Sequence, residues 1–325
     1  MGMREYILRR AISSIITLAL IIALNFFIFR IMPGDPTRTI VGDVRLRPET
    51  RELLRQQFGL DKPIWVQFIL YIQNLAVGNL GVSFQYKGTP VTEVIFGRRL
   101  TNTLILMGSS IALALIMGMI LGVIAAWKRG SKLDVSMLTF TLVAYSMPVF
   151  WLGMLIILFF GFYLKLIPLA GTVTPGVEYS NFFDYALDYL HHLIGPMVTL
   201  TIIDIAYYFL IMRNTMLDIF TEDYMLTAKA KGLRDRIILF RHGMKNAMLP
   251  MVSVIALTVI YLFGGATLTE TVFSWYGIGR LTYESVMMAD YPVLQGIFLV
   301  MAIAVILANF IADIVYAYLD PRIRY

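Results

Sequence analysis

The amino-acid sequence predicts an all-α polytopic membrane protein with six transmembrane helices, and three observations carry that prediction. Of 325 residues, 58% are hydrophobic and 15% charged, with a mean hydropathy of +0.74, whereas soluble domains carry about 25% charged residues. Several apolar runs reach the roughly 20 residues needed to cross a hydrocarbon core about 30 Å thick. The lysines and arginines behind the net charge of +6 gather in short stretches beside those runs. No compact basic domain with interleaved aromatics is present, so nucleic acid is not the partner that this charge serves.

The spans fall at 11–31, 101–127, 135–163, 194–212, 249–269 and 293–317. The first resembles a signal peptide in outline, but it is longer than a usual h-region and no A-x-A-like cleavage site follows, so it is read as a retained span. Between the first and second spans, 48–58 and 63–76 each begin at a proline suited to a first helical turn and then carry spaced apolar residues. They are expected to be short extracytoplasmic helices, with Gly59, Gly78 and Gly81 as stops. In the second span, Gly118 and Gly122 have the small-xxx-small spacing that permits close helix contact. Pro148 should kink the third. Arg213 ends the fourth, as an interface anchor.

Orientation follows from the short connections. Lys128, Arg129 and Lys132 lie after the second span, and Lys229, Lys231, Arg234, Arg236, Arg241 and Lys245 after the fourth, which assigns both to the cytoplasm. Arg4, Arg9 and Arg10 at the start and Arg322 and Arg324 at the end fall on the same side when the span count is even. Both termini are therefore expected in the cytoplasm.

The stretch after the fourth span runs Asp223-Tyr224-Met225-Leu226-Thr227-Ala228-Lys229-Ala230-Lys231-Gly232, and later Arg241-His242-Gly243-Met244-Lys245-Asn246-Ala247-Met248-Leu249-Pro250. It predicts a short helix stopped at Gly232 and then a basic helix that enters the fifth span. Small side chains at Thr227, Ala228 and Ala230 would let another protein approach closely, and glycine can take the positive φ that redirects the chain. A solvated basic loop obeying the positive-inside rule has the same composition.

This stretch resembles the EAA loop of ABC importer permeases: an acidic residue, two small residues, a glycine nine positions on, and a final Leu-Pro. Further segments are similar to permeases of the dipeptide, oligopeptide and nickel importer class. They are Arg30-Ile31-Met32-Pro33-Gly34-Asp35-Pro36, Phe58-Gly59-Leu60-Asp61-Lys62-Pro63, Gly78-Asn79-Leu80-Gly81-Val82-Ser83, Glu270 through Arg280, Asp290-Tyr291-Pro292 and Leu319-Asp320-Pro321-Arg322-Ile323-Arg324. Asn79 replaces an aspartate of the pattern and Leu226 an arginine.

The resemblance implies a type I ABC importer permease fold: an N-terminal span and extracytoplasmic segment over 1–92, a permease core over 93–320 and a cytoplasmic tail over 321–325. It implies coupling to an ATPase through Asp223, Thr227, Ala228, Ala230, Gly232, Asn246, Leu249 and Pro250. The implied partners are a second, similar permease subunit in a heterodimer, two ATPase subunits that use ATP and Mg²⁺, and an extracytoplasmic solute-binding protein. A di- or oligopeptide is the first expectation for solute, with an oligosaccharide or nickel complex as alternatives. The chain has no G-x-x-x-x-G-K-[ST] loop, so it is expected to bind no nucleotide or other cofactor and to hydrolyse nothing itself.

Asp204 in the fourth span and Asp313 in the sixth are costly in lipid and must face the bundle or a watery path. Hydrogen bonding with Asn309 or a tyrosine accounts for them as well as a place on the solute path does. His191 and His192 are adjacent, point to different helix faces and lack a third ligand, and there is no cysteine, so no metal site is expected. An intramembrane hydrolase built on Asp204 and Asp313, or a passive channel, are the rival classes. Neither accounts for the loop at 223–250.

Overall fold

The computed structural model describes residues 3–31, 61–86 and 88–319. The expected turn at Pro33–Pro36, the helix at 48–58, the stop at Gly59 and the tail lie outside the described residues. All described regular structure is helical apart from one isolated bridge between Val82 and Pro90.

The helices are α1 (Met3–Ile31), α2 (Ile64–Ala76), α3 (Val91–Phe96), α4 (Arg99–Trp127), α5 (Lys132–Ser146), α6 (Val149–Ile156, continued as a π-helix over Ile157–Tyr163) and α7 (Phe182–Ile219). After these come α8 (Asp223–Ala230), α9 (Asp235–Ile237, continued as a π-helix over Ile238–Met244), α10 (Lys245–Tyr261), α11 (Thr267–Val272), α12 (Ile278–Met287) and α13 (Tyr291–Leu319). They form two compact units, one of 1–103, 263–267 and 276–325, the other of 104–262 and 268–275.

Among the described residues, four helical stretches are long and apolar enough to cross a membrane: 4–30, 91–127, 182–219 and 291–314. A fifth is present if α5 and α6 count as one span, although they meet at a bend of 104°. Pro148 therefore does more than kink the third run. Its ring disfavours helical geometry at the preceding residue, and Met147 is extended at φ −78°, ψ 136°. The fifth expected span, 249–269, is also different. Its α-helix α10 has 17 residues and ends at Tyr261, because the chain turns through Gly264 and Gly265, the latter at φ +68°.

In the first unit, α1 lies along α13. Phe26 is fully buried, with the rings of Phe68 and Tyr71 at 5.2 and 5.4 Å. Asn25 donates to the Gln295 carbonyl at 3.0 Å, and Arg10 pairs with Asp313 at 3.0 Å. Val91 and Ile95 of α3 pack with Ile278, Leu281, Val293 and Ile297. Gly296 permits that contact, since a Cβ there would stand 2.5 Å from Val91.

The ends of α12 and α13 are held by one carboxylate. Asp290 accepts from the Ser83 hydroxyl and from the backbone N–H groups of Phe84 and Gln85, both at 3.2 Å. Two stretches singled out in the sequence, 78–83 and 290–292, are thereby one structural element. Beside it, buried Arg99 donates to the Tyr86 hydroxyl at 2.9 Å, pairs with Glu284 at 3.1 Å and lies 3.7 Å from the centre of the Tyr276 ring.

In the second unit, α4 and α7 touch at the glycine pair that the sequence marked. A Cβ at Gly118 would sit 2.7 Å from that of Tyr208, and one at Gly122 would sit 2.9 Å from that of Met212. Ala114, Val123, Met212, Met216, Ala247 and Met251 form the core that joins α4, α7 and α10.

Candidate coupling site

The helix α8 has two unlike faces, as an eight-residue helix must when residues three and four apart share a side. Met225 and Ala228 are buried against Ile238, with Trp127, Ile219, Phe220 and Leu233 closing round them. Lys229 places its ammonium 5.9 Å over the Trp127 ring, which meets Phe220 edge to face at 5.5 Å. Trp127 ends α4, Phe220 follows α7, and Ile238 begins the π-helical stretch that leads into α10. The inner face of α8 thus rests on the ends of three helices in one unit.

The opposite face is open. Tyr224, Leu226, Thr227 and Ala230 are exposed, Leu226 by 57%. The expectation that Ala228 offers a contact surface is corrected: at 5% exposure it is part of the chain's own packing, and Tyr224 and Leu226 supply the apolar surface instead. The Met225–Ala228 spacing was the available signal, because an apolar pair three apart marks the inward side of so short a helix.

At the start of α8 the N-cap is Glu222, extended at φ −75°, ψ 144° without a side-chain cap. Asp223 occupies the first helical position, where its exposed carboxylate still complements the positive end of the helix. The end of α8 is as predicted. Gly232 takes φ +69°, its N–H donates to the Lys229 carbonyl at 2.9 Å, and that of Leu233 reaches the Ala228 carbonyl at 3.4 Å. This is the Schellman arrangement, with Leu233 folding back onto Met225 and Ala228 as its apolar partner.

After Gly232 the backbone is helical from Asp235 to Tyr261, widened to π geometry over Ile238–Met244. Gly243 lies against Met216, where a Cβ would come within 2.8 Å of the methyl carbon. Asn246 donates to the His242 carbonyl at 2.8 Å, and both Leu249 and Pro250 are exposed on α10.

At the start of α5, the sequence reading missed an ion pair. Arg213 grips Asp134 with Nε at 2.7 Å and Nη2 at 2.8 Å, so it ties α7 to α5 rather than anchoring an interface. Asp134 also accepts from the Gly130 N–H at 3.0 Å, and its own N–H donates to the Ser131 hydroxyl. Ser131-Lys132-Leu133-Asp134 is a capping-box pattern, and that was the signal.

Of the other candidates, Asp313 is held by Arg10, not by Asn309, which is exposed. Asp204 is half-buried and makes no hydrogen bond or ion pair among the described residues. His191 and His192 bond to the carbonyls of Leu166 and Asp188, at 2.9 and 2.8 Å. Asp204 and Asp313 belong to different units.

Two family models match the chain. One, described as "Binding-protein-dependent transport system inner membrane component", covers residues 118–325 and so includes the whole of the loop just described. The other, for the N-terminal part of such membrane components, covers residues 3–107. The chain is similar to the oligopeptide transport system permease protein AppB of Bacillus subtilis (strain 168), at 37% identity over 99% of this chain and 100% of the relative. It is also similar to the dipeptide transport system permease protein DppB of Escherichia coli (strain K12), at 38% identity over 99% of each. Among solved structures it resembles the MetNI methionine ABC transporter in an inward-facing conformation, with a TM-score of 0.54 and 19% identity over 69% of this chain and 95% of that one, a likeness of fold alone. The chain belongs to the family of inner membrane components of binding-protein-dependent ABC transport systems, multi-pass transport permeases rather than enzymes.

Proposed function

We propose that this chain forms half of the membrane pathway of an ATP-driven importer for di- or oligopeptides, and that α8 is the element through which ATP hydrolysis reaches it. The observation that carries this reading is the two-faced docking of α8. Its exposed side offers Tyr224, Leu226, Thr227 and Ala230 to a partner, while its inner side rests on the ends of α4, α7 and the π-helical lead into α10. A push on α8 is therefore a push on three helices. Peptide as solute is supported by what the AppB and DppB relatives are named for.

The family supports the remaining parts of the proposed machine in general terms. A second permease subunit completes the pathway as a heterodimer, two ATPase subunits use ATP and Mg²⁺, and a soluble binding protein delivers solute from outside. Six spans with both termini in the cytoplasm fit the basic connections at 128–132 and 229–245, the α5–α6 pair being one bent span and α10 the fifth. Asp223 at the first position of α8 and exposed Asn246, Leu249 and Pro250 on α10 belong to the proposed coupling loop.

The test is ATP-driven uptake of a dipeptide by liposomes that contain the complete importer, with Thr227→Arg and Leu226→Asp in this chain. Both substitutions fall on the open face of α8, so both variants should insert normally and lose ATPase binding and uptake. Wild-type uptake by both, at equal membrane abundance, would show that α8 is only a solvated connection.

A further inference from the structure

We infer that Asp204, with Tyr207 one turn along α7, binds the cationic amino terminus of the transported peptide; this rests on the peptide-importer reading above. Three observations converge on the site.

The first is charge. An ionised carboxylate inside a membrane-crossing helix needs a counter-charge or water. Among the described residues, Asp313 pairs with Arg10, Glu284 with Arg99 and Arg280, and Asp134 with Arg213. Asp204 has no such partner among the described residues, so its carboxylate is open to a cation brought by the solute.

The second is the face on which it lies. The large hydrophobic side chains exposed on α4 are Ile105, Ile116, Met117 and Ile120, and those of α6 include Phe150, Trp151 and Met154, all suited to lipid. The central and later part of α7 exposes instead Tyr207, by 47%, and Asn214, with Asp204 half-buried at the flank of that strip. Ser136 and Ser146, exposed on α5, bond to carbonyls of their own helix and so tolerate lipid. The Asp204 carboxylate makes no such bond among the described residues, and a watery path is the environment that suits it.

The third is support from behind. Tyr208, next along the helix, is buried and donates to the Thr258 hydroxyl at 3.2 Å, and Thr201 bonds back to the Met197 carbonyl at 2.8 Å. Polar groups on the inner side of α7 are thus satisfied within the unit, which leaves the Asp204 carboxylate free for a mobile cation. A charge-assisted bond to an ammonium group gives the path a foothold for a free peptide amine. The Tyr207 hydroxyl, three residues on and therefore adjacent, would receive or donate to the first peptide group.

The experiment measures binding of dialanine and of N-acetyl-dialanine to the assembled permease–ATPase complex without the binding protein, alongside ATP-driven dialanine uptake by the complete importer. The wild type is expected to bind dialanine about tenfold more tightly than its acetylated form. Asp204→Asn should erase the preference and Asp204→Glu should keep it. If Asp204→Asn does not assemble, Tyr207→Phe carries the test, with dialanine binding weakened about threefold and the acetylated form unchanged. Equal binding of the two peptides by the wild type, an intact preference in Asp204→Asn, or unchanged dialanine binding in Tyr207→Phe would overturn the inference. So would loss of the second permease subunit on Asp204→Asn with the preference intact, since Asp204 would then pair with that subunit. A wild-type importer that takes up no peptide would instead remove the functional reading on which the inference rests.

Discussion

The ends of α8 and α12 have the same hydrogen-bond pattern and opposite chemistry. At α8 the residue past the cap is Gly232, at φ +69°; at α12 it is Ala289, at φ +49°. In each case its N–H returns to the carbonyl three back, Lys229 or Val286, and the next N–H returns to the carbonyl five back, Ala228 or Ser285. Glycine holds this conformation without strain, whereas a residue with a Cβ loses roughly 1 kcal/mol or more. The residue after each turn differs too. Leu233 closes the α8 end with an apolar contact, while Asp290 closes the α12 end by gathering the Ser83 hydroxyl and the Phe84 and Gln85 N–H groups. One helix ends where local sequence ends it, and the other where a distant segment holds it.

The largest test of that contrast removes the distant hold. Asp290→Ala leaves the Phe84 and Val293 N–H groups and the buried Ser83 hydroxyl without their acceptor, while the Gln85 N–H keeps the Ser83 oxygen, and each such loss costs about 1–3 kcal/mol. A fall of about 3 kcal/mol, with the strained turn at Ala289 released, is expected in the unfolding of the detergent-purified protein. Unchanged stability would show that the α12 end is locally determined after all.

Next in size is Met225→Ala, which empties a fully buried site under α8. Large-to-small changes of this kind cost about 2–5 kcal/mol when the surroundings stay in place, and less where they can collapse, as a helix docked on one side can. About 2 kcal/mol is expected here, read as faster hydrogen exchange confined to residues 223–238. Exchange that accelerated throughout the unit would mean that α8 is not a separable lever.

The two glycine-position substitutions should have opposite signs. Ala289→Gly removes the positive-φ strain and should add up to about 1 kcal/mol, reduced by the greater freedom of glycine in the unfolded chain. Gly232→Ala should cost about 1 kcal/mol, and Gly232→Asn less, since asparagine tolerates this region better. Nothing lies within 4 Å of a Cβ at Gly232, so the penalty there is conformational and not steric. Changes of the same sign at both positions would refute the comparison.

Length, hydropathy and charge placement by themselves determined that the chain is helical, that it belongs in a membrane and where a short helix stops at Gly232. These properties depend on neighbours within a few residues: a run of apolar side chains, a basic flank, a glycine free to take positive φ. The close contact at Gly118 and Gly122 was legible for the same reason, since a small-residue spacing is written along one helix. The inward turn of Ala228, the break at Met147–Pro148, the stop at Gly265 and the pairing of Arg213 with Asp134 were decided by tertiary structure. Ala228 and Thr227 look equally suited to a surface until Trp127, Ile219 and Ile238 occupy one side of α8. Arg213 reads as a membrane anchor until α5 brings Asp134 within 2.7 Å of it, from 79 residues away. A local pattern specifies which conformations are cheap, but which face is covered and which charge is neutralised depends on side chains that arrive from elsewhere in the chain.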